Sequence, residues 1–143
     1  MRRIAITEAF TDGQTIIKEG GYGEGTYVIL HGKVEITKQV EEGSVKIALL
    51  EKGDILGEMS FVDKHPRSVS AVAIGDVKLG LIDKDFLEEE INKTSGDFRL
   101  ILLTITERLR KTTFQLVKLI VENHKLKVEN EKLNERLKES KTE

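Results

Sequence analysis

Thr26-Tyr27-Val28-Ile29-Leu30-His31-Gly32-Lys33-Val34-Glu35-Ile36-Thr37-Lys38 sets two runs rich in β-branched residues on either side of a His-Gly pair. Such side chains suit a pleated surface, and glycine takes the positive φ of a tight turn. The stretch therefore predicts two strands, 26–30 and 33–38, joined at His31-Gly32. The same grammar extends outward to runs at 4–7, 14–18, 45–50, 68–73 and 77–82, with Gly75-Asp76 as a second tight turn. No helical periodicity interrupts residues 1 to about 82, so the expected class is mainly β, an antiparallel barrel or sandwich. Gly20, Gly21, Gly23 and Gly25 crowd one loop. It lacks the Lys-Ser/Thr ending of a phosphate loop and no helix pattern follows it, so it reads as a turn.

Beyond the strands the pattern changes. Asp85 with Glu88 resembles a capping box, and Phe86, Leu87 and Ile91 give a short apolar helix face. Ser95 is the expected N-cap of a second helix, with Asp97 in its first turn, and neither proline nor glycine interrupts the chain from Phe98 to Glu143. The division is thus 1–95 for the strands and short helix and 96–143 for one long helix. That helix carries a heptad with Leu102, Leu109, Leu116, Asn123, Asn130 and Leu137 at a, and Ile105, Thr112, Leu119, Leu126, Leu133 and Ser140 at d. Leucine at d with asparagine at some a positions favours a parallel, in-register pair, since each Asn amide is satisfied by its counterpart. The expectation is a homodimer sealed by Leu109, Leu116, Leu119, Asn123, Leu126, Asn130, Leu133 and Leu137. Beyond Leu119 the other positions read as nearly all polar, leaving no second apolar face.

The totals narrow the function. At 143 residues and a net charge of -2 the chain suits one domain with an appendage and lacks the basic excess of a dedicated nucleic-acid binder. Arg108, Arg110 and Lys111 cluster on the helix, where a solvated face is the ordinary reading and contact with a nucleic-acid backbone the other. With no cysteine there is no disulfide, thiolate metal site or sulfur-based redox switch. No apolar run approaches the ~20 residues that span a bilayer, so no membrane span is expected and the chain reads as cytoplasmic. The coil runs on to Glu143 without a helix-turn-helix, so no DNA-binding domain is expected. His31, His65 and His124 lack the spacing of a metal site and have no evident catalytic partner, so the chain reads as a binding protein, not an enzyme.

The chemistry lies in Gly53-Asp54-Ile55-Leu56-Gly57-Glu58-Met59-Ser60-Phe61 and in His65-Pro66-Arg67-Ser68-Val69-Ser70-Ala71. A Gly57-Glu58 turn entering a short helical segment aims free backbone N–H groups at one point, which suits an anion. Arg67 supplies a permanent cation and a planar fork for phosphate oxygens. Glu58 has the wrong sign for phosphate but accepts well from a sugar hydroxyl. Anion donors beside a ribose acceptor imply a nucleotide. The competing reading pairs Arg67 with Glu58 and leaves the fold without a ligand, as a constitutive coiled-coil scaffold.

These residues, with Gly13-Gln14-Thr15-Ile16-Ile17-Lys18-Glu19-Gly20 and Tyr27-Val28-Ile29-Leu30-His31-Gly32-Lys33-Val34-Glu35, resemble the cyclic-nucleotide-binding domain family of bacterial catabolite activators, protein kinase A regulatory subunits and gated channels. The resemblance implies a jelly-roll-like β-roll. It further implies that Glu58 binds the ribose 2′-hydroxyl, Arg67 binds the cyclic phosphate, and Gly57, Met59, Ser60 and Ser68 give backbone or hydroxyl contacts. Ser60 replaces a usual alanine and Phe61 a common leucine. Thr112 and Thr113 break the leucine pattern, and Glu107-Arg108-Leu109-Arg110-Lys111-Thr112-Thr113 is similar to the activator helix whose hydroxyl residues, from two subunits, meet the base. Ser68 after Arg67 resembles bacterial cAMP binders, whereas cGMP binders usually carry threonine. The expected ligand is therefore cAMP, with cGMP as the alternative, and no cofactor.

Overall fold

The computed structural model describes residues 3–142, so Met1, Arg2 and Glu143, the outermost positions of the two expected parts, lie outside it. Two long strands organise the molecule: β3 (Tyr27–Val40) and β6 (Ser70–Ile82) pair antiparallel along most of their length. The shorter strands β1 (Ile4–Phe10), β2 (Thr15–Ile17), β4 (Gly43–Leu50) and β5 (Ile55–Leu56) complete an open antiparallel sheet of six. The expected turns at His31-Gly32 and Gly75-Asp76 are absent. In their place the paired strands bend together, and the register slips so that His31 faces Lys78 while Lys33 faces Ile74.

Glycine permits this joint bend. Gly32 has φ 87° and Gly75 has φ 65°, values that L side chains adopt only with strain. At Gly32 an added Cβ would lie 2.3 Å from the carbonyl oxygen of Asp76. The bend divides the sheet into two halves. Residues 27–31 and 77–82 are flanked by β1 and β5, and residues 33–40 and 70–74 by β2 and β4. Both halves face one core of Ile17, Ile29, Val34, Leu56, Ala71, Ala73, Val77 and Leu79, so the sheet wraps over itself as the expected roll.

Three helices follow from local signals. α1 (Glu58–Asp63) enters through Gly57 at φ 86° and leaves through Lys64 at φ 58°. α2 (Lys84–Asn92) is capped by Asp83, whose carboxylate accepts from Phe86 N at 2.9 Å. The cap is two residues earlier than the Asp85–Glu88 pattern suggests, because Asp83 ends β6 with its carboxylate already beside the first turn. α3 (Gly96–Thr142) is one unbroken helix of 47 residues, and Ser95 Oγ accepts from Phe98 N at 3.2 Å, as its sequence implies. No described helix is long and apolar enough to cross a membrane.

Contrary to expectation, α3 has two apolar faces. Thr106 and Val117 are buried against the roll, and Ile120 and Val121 are half-buried beside Val40 and Val45 of the β3–β4 hairpin. These positions fall between the heptad seam positions, so a single leucine seam carries no sign of them. The seam itself is uncovered: Leu119 is 62% and Leu126 65% exposed, with Leu109, Leu116, Leu133 and Leu137 also exposed.

Candidate functional site

Gly57, Glu58, Met59, Ser60, Arg67 and Ser68, drawn from the β5–α1 turn, α1 and the loop before β6, line one cavity of about 330 Å³ together with Leu109 and Thr113 of α3. That volume is at the small end of the range for bound small molecules. The lining also includes the apolar side chains of Ile36, Ile47, Ala48, Leu50, Ile55 and Val69. The cavity thus combines charge and hydroxyls with apolar surface that suits a flat apolar face. Thr112 is not among the lining residues: it is exposed on the seam side of α3. Leu109, expected only at the seam, also closes the cavity.

Arg67 is held in place by backbone. Its guanidinium donates from Nη1 to the Gly57 carbonyl at 2.8 Å and from Nη2 to the Gly25 carbonyl at 2.7 Å, and the residue is 8% exposed. The close approach depends on glycine at position 57: a Cβ there would meet the Gly25 oxygen at 2.3 Å and Arg67 Nη1 at 2.9 Å. The glycine-rich loop read as a turn is therefore part of the site's frame. Burial pushes the Arg67 pKa down, while the Tyr27 hydroxyl and the Glu58 carboxylate pull it back up. Its ordinary value is far above neutrality, so it stays charged.

In the loop that carries Arg67, three consecutive carbonyls are occupied. Arg110 of α3 donates to Pro66 at 3.3 Å, Gly20 N to Arg67 at 2.8 Å, and Lys38 Nζ to Ser68 at 2.7 Å. Lys38 is itself paired with Glu19. Three separate elements therefore fix the arginine's position. Among the described residues no ion pair joins Glu58 to Arg67, and Glu58 is exposed at the start of α1. The carboxylate and guanidinium are presented side by side, and neither neutralises the other through contact.

The basic cluster on α3 separates. Lys111 pairs with Glu107 on the helix surface at 3.0 Å and Arg108 is exposed, while Arg110 turns inward to Asp63. Sequence reasoning missed Arg110, since one arginine among three carries no mark of its direction. It also missed the apolar lining, which the alternation of β4 could have supplied. His31, His65 and His124 are exposed, and among the described residues no group of His, Asp and Glu is placed to hold a metal.

The sequence profile described as cyclic nucleotide-binding domain matches residues 7–94. The CRP-like cAMP-activated global transcriptional regulator of Mycobacterium tuberculosis is 32% identical over 112 residues, which is 78% of this chain and 50% of that protein. A cAMP-dependent protein kinase regulatory subunit of Aspergillus fumigatus is 40% identical over 73 residues, 51% of this chain and 17% of that one. Among solved structures, the EAL enzyme Bd1971 in its cAMP-bound form superposes with TM-score 0.73 at 27% identity, covering 83% of this chain and 32% of that one. The Thermus thermophilus catabolite activator protein does so with TM-score 0.59 at 29% identity, covering 80% and 54%. The chain spans about half the length of the mycobacterial regulator. With its profile match covering most of the roll, its six-stranded antiparallel sheet and its cassette of glycine, glutamate and arginine, this chain belongs to the cyclic nucleotide-binding domain family.

Proposed function

We propose that the chain is a cytoplasmic regulatory module that binds cAMP in preference to cGMP, pairs with a second copy through α3, and passes the ligand signal to that helix. Its roll and short helix form the sensing part (1–95) and its long helix the dimerising part (96–143). One observation carries the reading: residues chosen for phosphate and ribose chemistry converge on a single cavity with an apolar lining for the base. Arg67 uses two of its five N–H donors on backbone carbonyls and keeps the others for phosphate oxygens. Glu58, exposed at the mouth, is free to accept from a ribose hydroxyl. Thr113 lies where a base edge would reach it, and Thr112, on the uncovered seam, is set to reach the cavity of a second copy. Relatives described as cAMP-activated or cAMP-dependent support cAMP. A Bd1971 form is also described as cGMP-bound, which keeps cGMP as the comparison ligand.

The role is binding, not catalysis. A second reading keeps the pairing through the uncovered leucine seam but leaves the roll without a ligand, a constitutive dimer. Calorimetric titration of the purified chain with cAMP and cGMP separates the two. Saturable binding, tighter for cAMP, is expected. No heat with either nucleotide at millimolar concentration overturns the ligand reading in favour of the scaffold.

A further inference from the structure

The least exposed ion pair among the described residues joins the cassette to the long helix. Arg110 of α3 donates from Nε to Asp63 Oδ2 at 2.5 Å and from Nη2 to Asp63 Oδ1 at 2.9 Å. The side chains are 18% and 9% exposed. The remaining nitrogen, Nη1, donates to the carbonyl of Pro66 at 3.3 Å. One guanidinium therefore grips two points at once: the last residue of α1, whose first residue is Glu58, and the residue that precedes Arg67. Burial works to raise the Asp63 pKa, but the hydrogen bonds and charge of Arg110, helped by the backbone N–H and the ring of His65, hold it below the ordinary carboxylate value. Asp63 is therefore ionised at neutral pH, and the pair is a charged, part-buried fork.

Such a pair resists half-measures. If α1 moves without α3, a part-buried carboxylate loses its charged partner, and Arg110 loses both oxygens at once. If α3 moves, it pulls on Pro66 and hence on the loop that aims Arg67. We infer that Asp63 and Arg110 are positioning residues that join the nucleotide site to the dimer helix, so that α3 sets the affinity of the cassette and ligand in the cassette sets the state of α3. This rests on the proposed nucleotide-binding function. The two effects are reciprocal, because coupling between sites acts equally in both directions. Neither residue need touch the ligand.

Arg110→Gln, Asp63→Asn and the double variant test this against wild type with two readouts, cAMP affinity by calorimetry and amide hydrogen exchange at saturating cAMP. Each single variant is expected to lose affinity about tenfold, within the usual span of coupling between sites, and the double variant to lose no more than either single one. At saturation, wild type should gain protection in residues 57–68 and in the α3 segment 103–117. The variants should gain it in residues 57–68 alone. A purely structural pair would lower the melting temperature yet leave the ligand-dependent protection of α3 intact. Should Arg110→Gln fail to fold, Arg110→Lys keeps the charge without the fork and reads the same loss at smaller size. Wild type that binds and protects α3, with variants that match it or whose losses add in the double, overturns this inference alone. Wild type that binds neither cyclic nucleotide overturns the functional reading and the inference together.

Discussion

Because the Arg67 guanidinium holds the Gly57 and Gly25 carbonyls as well as facing the cavity, replacing it disturbs the frame and the site together. Arg67→Glu sets a carboxylate against an incoming phosphate and removes the fork, so cAMP affinity should fall by about 3 to 5 kcal/mol, or two to four decades. The same variant should melt earlier, since hydrogen bonds from a charged donor contribute about 1.5–3 kcal/mol each. Glu58→Ala should behave differently. Its carboxylate is exposed and, among the described residues, joined to Arg67 through no ion pair, so the melting temperature should change little while the affinity gap between cAMP and its 2′-deoxy analogue narrows. Calorimetry with both nucleotides, beside a thermal melt, reads all four outcomes. An unchanged deoxy gap in Glu58→Ala would remove Glu58 from the ribose. These two residues were legible in the sequence because their chemistry resides in the side chain. Gly25 was not, since its contribution is a carbonyl that any residue would offer if its Cβ could be accommodated.

At the scale of elements, the strands were legible in their composition and illegible in their joints. Glycine beside a polar residue serves a hairpin turn and a shared bend equally well, and only the partner strand decides between them. That decision occurs across the sheet, where His31 meets Lys78, far from it in sequence. The bend can be tested at its two glycines, which are not equivalent. Gly32→Ala meets both strain at φ 87° and a carbonyl oxygen 2.3 Å from its new Cβ, whereas Gly75→Ala meets nothing within 4 Å and only the strain at φ 65°. Gly75→Ala should cost about 1–2 kcal/mol, the usual penalty of a left-handed alanine, and Gly32→Ala distinctly more, since Asp76 must retreat as well. Chemical denaturation of the two variants gives the comparison, and equal losses would mean that the strands separate easily at the bend. The long helix shows the same limit. Its heptad was plain in the sequence, but Ile120, Val121 and the inward turn of Arg110 belong to a second face that becomes visible only with the roll beside it.

For the whole molecule, the cavity and the seam make separate demands on stability, and thermal melting can separate them. A ligand that binds only the folded chain stabilises it by mass action, about 2.7 kcal/mol when present at 100 times its dissociation constant. For a chain of 143 residues that corresponds to a rise in melting temperature of roughly 10 °C. Dimerisation leaves a different mark, since a chain that folds with its partner melts at a temperature that depends on its own concentration. A stripe of leucines from Leu109 to Leu137 left in water by the single chain is a strong reason for such pairing. The expected outcome is therefore a melting temperature that rises with cAMP at fixed protein and with protein at fixed cAMP. A constitutive scaffold would show the second dependence without the first, and a monomeric binder the first without the second. If the seam and the cavity are coupled through α3, the two dependences should also interact: cAMP should change the protein concentration at which half the chains are paired, measurable by sedimentation. Melting curves that shift with both variables, beside a pairing equilibrium indifferent to cAMP, would leave a dimer and a nucleotide site in one molecule with no signal between them.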